Sequence, residues 1–195
     1  MATVVQLRDD DSVKRDRDAL LEVIKARSFR RGHFVLSSGK ESDLYFNLKS
    51  TMMDPQGSYL AAKACLPIAL KLGAEFVGGL ELGAVPMLGA LAALSWQEGH
   101  PVKTFLVRKK AKAHGTKESI EGLSLGESFA GKKVLAVDDV ASTGGSVITA
   151  VQAAREAGGI VTDALVLIDR QMGSDKALGN LGVTLHSIFK ENDFR

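Results

Sequence analysis

Two adjacent carboxylates, Asp138 and Asp139, are the residues best placed for chemistry, because an apolar run at residues 134–137 ends on them. A loop of small residues, 142–146 (STGGS), follows and leads into a helical pattern. Hydroxyl groups and unpaired N–H groups at a helix N-terminus favour a phosphate, since the helix dipole also attracts negative charge. Carboxylates beside such a loop would repel a phosphate unless they accept hydrogen bonds from sugar hydroxyl groups or hold a divalent cation. The combination predicts a site for a phosphorylated sugar.

A basic stretch is the second candidate. Between Lys103 and Lys117 the chain has six lysine or arginine residues, His114 and no acidic residue. Taken alone, such a stretch fits a solvated surface or a nucleic-acid site equally well. Beside a phosphate-binding loop it favours a mobile basic lid that closes over a polyanion and stabilises developing negative charge.

Apolar strands that alternate with helices must position these residues. Strands are predicted at residues 76–79, 103–107, 133–137, 163–168 and 183–189, and helices at residues 12–27, 55–72, 86–98 and 146–157. Such alternation is typical of an α/β fold with a central, mostly parallel sheet flanked by helices. Ligands bind beyond the carboxyl ends of such strands, which is where the two carboxylates lie. Residues 1–195 are predicted to form a single domain, on which about residues 1–50 and the C-terminal strand form a small N-terminal hood.

Composition excludes several classes of protein. The chain has 195 residues and a formal net charge of +2, which argues against a protein that binds nucleic acid over its whole surface. Cys65 is the only cysteine, so neither an intrachain disulfide nor a cysteine-based metal cluster is possible. The longest apolar stretch, residues 82–94, is shorter than the roughly 20 residues that span a bilayer, and the N-terminus lacks the apolar segment of a secretory signal. We therefore expect a cytoplasmic protein without membrane or nucleic-acid partners.

Three segments together resemble the orotate phosphoribosyltransferase family, which has the type I phosphoribosyltransferase fold. The phosphoribosyl pyrophosphate motif of the superfamily resembles residues 134–147 (VLAVDDVASTGGSV). The flexible catalytic loop of the orotate enzymes resembles residues 108–115 (RKKAKAHG), and their N-terminal segment resembles residues 34–50 (FVLSSGKESDLYFNLKS). Arg170 also fits, because it follows a strand where the family keeps an orotate-contacting arginine. The resemblance covers about residues 15–190.

The resemblance implies a reaction and a set of residues. The reaction is Mg²⁺-dependent transfer of ribose 5-phosphate from phosphoribosyl pyrophosphate to N1 of orotate, which gives orotidine 5′-monophosphate and pyrophosphate in pyrimidine biosynthesis. Mg²⁺ would arrive with the substrate and lie near Asp138 and Asp139, which would hold the ribose hydroxyl groups. The residues implied for phosphoribosyl pyrophosphate are Glu81, Leu82, Gly83, Arg108, Lys109, Lys112, His114, Asp138, Asp139, Val140, Ala141, Ser142, Thr143, Gly144, Gly145 and Ser146. Those implied for orotate are Tyr45, Phe46, Ser142 and Arg170. In the family the loop reaches the neighbouring subunit's site, which implies a homodimer.

Lys112, with Asp138 and Asp139, is predicted to be catalytic. Breaking the anomeric bond places negative charge on pyrophosphate, and a cation in the loop would stabilise it. Orotate is already a good nucleophile, so no strong base is needed. The chain departs from the family where some members have lysines, at Ser37 and at Gly83. We hypothesise that pyrophosphate is held instead by backbone N–H groups around residues 81–83, and that the Glu81-Leu82 peptide is cis.

Two other functions remain open at this point. A phosphoribosyltransferase for a purine or another base would share the sugar-phosphate motif, although the loop histidine and the N-terminal segment favour orotate. A non-catalytic regulator that senses phosphoribosyl pyrophosphate would need a nucleic-acid-binding appendage, whereas the N-terminal region here is short and acidic at residues 9–11.

Overall fold

This computed structural model describes residues 10–35, 41–109 and 119–195. The elements, in chain order, are α1 (Asp10–Arg27), β1 (Phe29–Val35), β2 (Glu41–Phe46), α2 (Lys49–Met52), α3 (Pro55–Lys71), β3 (Phe76–Leu80), α4 (Val85–Gln97), β4 (Lys103–Val107), β5 (Ile120–Glu121), β6 (Lys133–Ala141), α5 (Gly145–Glu156), β7 (Ile160–Asp169), α6 (Ser174–Gly179), β8 (Thr184–Lys190) and a C-terminal 3₁₀ turn (Glu191–Phe194). Within these described ranges, no helix has both the length and the apolar character that a membrane crossing needs.

Six strands form the central sheet, in the order β5-β4-β3-β6-β7-β8. Neighbouring strands pair in parallel except β4 and β5, which pair antiparallel, so the predicted mostly parallel sheet is confirmed. The chain runs from β3 through α4 to β4 in one direction, and from β6 through α5 to β7 in the other. The carboxyl ends of β3 and β6 therefore flank the point where the strand order reverses, which is where open α/β sheets bind ligands.

The sheet is buried on both faces. Along β6, Leu135 and Val137 face a core that contains residues of α1, α3 and α4, whereas Val134 and Ala136 face a second core that contains residues of α5. The alternation follows from the two-residue period of a strand. It also explains why this segment is a continuous apolar run, since a parallel strand covered on both sides has no solvent-facing position.

The β1–β2 hairpin stands apart from the central sheet as an antiparallel pair. The C-terminal turn packs against it, with the Phe194 ring 5.5 Å from Phe29 and 5.0 Å from Phe46 between centroids. The C-terminal strand, which the sequence assigned to the hood, pairs with β7 in the central sheet instead, because Phe189 extends the core on that side. The turn after β8, rather than β8 itself, reaches the hairpin.

Cys65 is a packed thiol inside α3. Its Sγ lies 3.7 Å from Sδ of Met87, and burial raises the pKa of the thiol to about 12. The side chain therefore stays protonated at ordinary pH and contributes to packing.

Candidate active site

Four parallel strands end at one edge of the sheet, and each is followed by a segment that the sequence analysis singled out. The turn at residues 81–83 follows β3, Arg108 and Lys109 follow β4, residues 142–146 follow β6, and Arg170 follows β7. Because the strands are parallel, these segments meet although they are far apart in the chain. The structure thus brings these four segments to the same edge of the sheet.

The acidic pair lies near the end of β6. Asp138 is only 4% exposed, and its Oδ1 accepts a hydrogen bond from the Asp139 N–H at 2.9 Å. Asp139 Oδ1 accepts from the Val140 N–H at 2.8 Å. Burial, together with the charge of Asp139, raises the pKa of Asp138 to about 8, while the charge of Lys109 acts in the opposite direction. A ligand that brings hydroxyl donors or positive charge to this pair would favour the ionised form.

Gly83 lies directly against the acidic pair. A Cβ atom at this position would be 2.7 Å from Oδ1 of both Asp138 and Asp139, which is closer than such atoms approach. The two carboxylates therefore converge on the backbone of the 81–83 turn. The Glu81-Leu82 peptide in that turn is cis, as hypothesised. Glu81 connects the turn to the basic segment, since its Oε1 accepts a hydrogen bond from the Lys109 N–H at 2.8 Å.

The loop at residues 142–146 forms the N-terminus of α5. Gly144 is the N-cap residue and has φ of 85°, a left-handed conformation that favours glycine. The Ile148 N–H donates to the Gly144 carbonyl at 2.8 Å, so the N–H groups that precede it in the first turn have no intrahelical acceptor. No side chain caps the helix. This N-terminus is suited to an anion.

Val140 and Ala141, which the resemblance assigned to the same anion site, belong to β6. They pair with Ile168 and Asp169 of β7. The loop proper thus begins at Ser142.

Arg170 is nearly enclosed at the end of β7. Its Nε donates to Glu191 Oε2 at 2.8 Å, and its Nη2 donates to Ser42 Oγ at 2.8 Å and to the Leu44 carbonyl at 3.3 Å. The guanidinium carbon lies 5.5 Å from the centroid of the Phe46 ring. Sequence reasoning singled out Arg170 and Phe46 but missed Glu191 and Ser42, because nothing in a chain marks a pair as distant as Ser42 and Arg170.

Tyr45 and Phe46 lie on opposite faces of the β1–β2 hairpin, as neighbouring residues of a strand do. Phe46 packs against Phe29 and Phe194, on the side of Arg170. Tyr45 stacks on Phe34, with ring centroids 5.2 Å apart. In this arrangement only Phe46 of the two is next to the guanidinium.

Of the basic segment, residues 103–117, the structure describes only residues 103–109. Lys112, His114 and Ser37 lie outside the described residues. Arg108 Nη1 is 3.2 Å from Glu121 Oε1, and the Arg108 N–H donates to the Ser119 carbonyl at 2.7 Å. These contacts and the pairing of β4 with β5 hold Arg108 close to residues 119–121, where the described chain resumes.

Comparison with known proteins identifies the family. The phosphoribosyl transferase domain family matches residues 73–178, more than half of the chain. An orotate phosphoribosyltransferase of Rhodopseudomonas palustris (strain BisB18) is 46% identical over 178 residues, which cover 91% of this chain and 95% of that protein. The chain belongs to the orotate phosphoribosyltransferase family.

Solved structures of orotate phosphoribosyltransferases have the same fold. The crystal structure of the Mycobacterium tuberculosis enzyme in complex with Fe(III) dicitrate has a TM-score of 0.79 and 34% identity, and the match covers 92% of this chain and 98% of that chain. The same enzyme in complex with 5-phospho-α-D-ribosyl 1-diphosphate has a TM-score of 0.74 and 27% identity, with coverage of 93% and 92%. The predicted type I phosphoribosyltransferase fold is confirmed.

Proposed function

We propose that this chain transfers ribose 5-phosphate from phosphoribosyl pyrophosphate to N1 of orotate, which yields orotidine 5′-monophosphate and pyrophosphate in pyrimidine (UMP) biosynthesis. One observation carries the proposal. In a member of the orotate phosphoribosyltransferase family, an acidic pair whose first member is buried and an uncapped helix N-terminus meet at the carboxyl edge of the sheet, as a sugar phosphate requires.

The sugar phosphate is assigned to β6 and the loop after it. Asp138 and Asp139 accept hydrogen bonds from the ribose hydroxyl groups. These donors suit the two carboxylates, because each accepts few hydrogen bonds from the protein itself. The N–H groups and hydroxyl groups of residues 142–146 bind the 5-phosphate. The backbone of the 81–83 turn, which meets the acidic pair, binds the pyrophosphate.

Catalysis depends mainly on charge and position. When the anomeric bond breaks, positive charge develops on the ribose ring and negative charge on the leaving pyrophosphate, while N1 of orotate attacks from the opposite side. The acidic pair faces the positive charge. Arg108 and Lys109 lie on the pyrophosphate side, and we assign Lys112 and His114 of the same segment to the pyrophosphate as well.

Mg²⁺ is proposed as the cofactor and is expected to arrive with phosphoribosyl pyrophosphate. Two carboxylate oxygens converge beside Gly83, which suits a cation bound mainly by the substrate. Among the described residues, no group of three or more His, Cys, Asp or Glu side chains is placed to hold a metal ion independently. When bound, Mg²⁺ supplies positive charge that offsets the charge of the pyrophosphate.

Orotate is assigned to Ser142, Arg170 and Phe46. A guanidinium group donates strong, charge-assisted hydrogen bonds to a carboxylate, which suits the carboxylate of orotate. Phe46, beside Arg170, is the aromatic residue placed to contact the pyrimidine, whereas Tyr45 stacks on Phe34 on the other face of the hairpin. The proposed hood consists of about residues 1–50, and the C-terminal turn anchors it within a single domain.

A homodimer is also proposed, with the basic segment of each subunit reaching the other's site. The surface of α4 supports it, because this helix has no charged residue. Gly89, Ala93 and Trp96 lie along its exposed side, and Trp96 is 75% exposed. Leu82, 66% exposed, extends this apolar stripe to the 81–83 turn. A second copy that covers the stripe would lie next to the site. A cytoplasmic location without nucleic-acid partners stays a prediction.

Lys112 is the residue by which the reaction can be tested. The assay is the loss of orotate absorbance with phosphoribosyl pyrophosphate and Mg²⁺. We expect wild-type turnover and a reduction of kcat by about 10²–10³-fold in Lys112→Ala, because a cation is lost where negative charge develops. Lys110→Ala, a change in the same segment at a residue without an assigned role, is the matched control. Turnover of a purine base but not of orotate would contradict the proposed substrate. Binding of phosphoribosyl pyrophosphate without turnover of any base would indicate a regulator.

A further inference from the structure

We propose that Glu191 is a positioning residue for orotate, which acts by holding the guanidinium of Arg170 in the orientation that receives the substrate's carboxylate. The inference rests on the proposed function. Glu191 lies in the C-terminal turn, outside every segment that resembles a motif of the family.

The Arg170–Glu191 pair is buried. The Nε–Oε2 distance is 2.8 Å, and the two side chains are 5% and 13% exposed. Removing two charges from water is costly unless the pair has good geometry and further hydrogen bonds. Both conditions are met here, because Arg170 also donates to Ser42 and Leu44, and Glu191 Oε1 accepts from Arg195 Nη2 at 2.9 Å.

These contacts determine which edge of the guanidinium remains for a ligand. Glu191 occupies Nε, and the β1–β2 hairpin occupies Nη2 through Ser42 and Leu44. Phe46 covers one face of the group. Among the described residues no acceptor is paired with Nη1, so its two N–H groups are the donors directed to a substrate carboxylate.

The charges around Glu191 explain why it can pair with Arg170 although Arg170 must also bind the carboxylate of orotate. Arg195 lies between Glu191 and Asp43, at 2.9 Å and 3.2 Å. Glu191 thus shares its negative charge with Arg195, and the positive charge of Arg170 is not fully offset. Glu191 directs the guanidinium without removing its attraction for orotate.

The test is steady-state kinetics of Glu191→Ala with each substrate varied in turn. Without Glu191 the guanidinium loses its Nε partner and becomes less ordered. By analogy with residues that orient metal ligands, we expect KM for orotate to rise about 10- to 100-fold, while KM for phosphoribosyl pyrophosphate changes less than about 2-fold. Glu191→Gln, which still offers an oxygen to Nε, should restore most of the affinity for orotate.

Two controls separate positioning from a structural role. Asp193→Ala changes another acidic residue of the same turn, whose Oδ2 accepts hydrogen bonds from Arg17 Nη2 and from the Lys190 N–H, both at 3.0 Å. It should leave KM for orotate unchanged, and an equal rise in this variant would overturn the proposal. In an Arg170→Ala background, Glu191→Ala should have no further effect, because residues that act through one another are not additive. A full further loss there would also overturn it. Lack of orotate turnover in the wild type would instead contradict the proposed function.

Discussion

Asp138 and Gly83 show how single residues determine the chemistry of this site. A carboxylate that is almost fully buried and adjacent to a second carboxylate is unfavourable in its ionised form, so the position is one where function opposes stability. Gly83 allows the arrangement, because the space that a side chain would occupy is filled by the two carboxylates.

The raised pKa of Asp138 should be visible in how the stability of the protein depends on pH. Its pKa rises from an ordinary value of about 4 to about 8, so between these values the folded protein retains a proton that the unfolded chain releases. The free energy of unfolding therefore decreases as the pH rises from about 4 to about 8. Asp138→Asn should be more stable than the wild type at pH 8, with a difference that shrinks toward pH 4, although its activity falls. Urea unfolding of both proteins without substrate measures this, and equal stability at pH 8 would contradict it.

Gly83→Ala should lower activity while the fold is kept. The added methyl group must displace at least one carboxylate oxygen that the backbone N–H groups of Asp139 and Val140 hold in place. We expect kcat/KM for phosphoribosyl pyrophosphate to fall about 10- to 100-fold, because catalysis is sensitive to small displacements. Gly179→Ala is the matched control, since a Cβ there meets no atom within 4 Å. Unchanged kinetics for Gly83→Ala would show that the carboxylates move without consequence.

At the scale of elements, the periodicity of the sequence was sufficient to predict most of the helices and strands. Apolar strands and amphipathic helices have periodic patterns, so the strands and helices around the site, including β6 and α5, could be predicted to within a few residues. Short elements such as α2, α6 and the C-terminal turn could not, since their conformation depends on tertiary contacts. For the same reason the sequence indicated the phosphate loop and the acidic pair but not the partners of Arg170.

The N-terminus of α3 gives a prediction for a single element. Asp54 accepts hydrogen bonds from the Gln56 and Gly57 N–H groups, both at 3.1 Å, and lies 2.8 Å from Arg27. Asp54→Ala should lower the free energy of unfolding by about 1 kcal/mol through loss of the cap. Arg27→Ala, which removes only the half-exposed ion pair, should cost less. Chemical denaturation of both variants distinguishes the two contributions, and equal losses would indicate that the ion pair dominates.

For the whole molecule, the apolar stripe on α4 lies next to the 81–83 turn, so assembly and catalysis should be coupled. The proposed exchange of basic segments makes each site incomplete in a monomer. Variants that change association, rather than any group in the site, can therefore test this organisation.

Trp96→Glu should dissociate the proposed dimer, because it places a charge in the apolar stripe, and activity should fall with it. Gln152→Glu is the control, because it adds a charge at an exposed position of α5, on the opposite face of the sheet from α4. Analytical ultracentrifugation and the orotate assay together measure the effect. Full activity of a monomeric Trp96→Glu would rule out a shared site.

A mixture of Lys112→Ala and Asp138→Asn, refolded together, should recover activity that neither variant has alone.

The pairing of β3 with β6 also has a consequence for how the protein folds. Phe76 pairs with Val134, and α4, β4 and β5 all lie between them in the chain. Contacts between such distant positions form slowly, because a long loop must close before they contribute. The acidic pair meets the 81–83 turn only when this pairing is complete. A nascent chain with most of its secondary structure formed would therefore still lack the ability to bind a sugar phosphate, and ligand binding would report that this long-range pairing has formed.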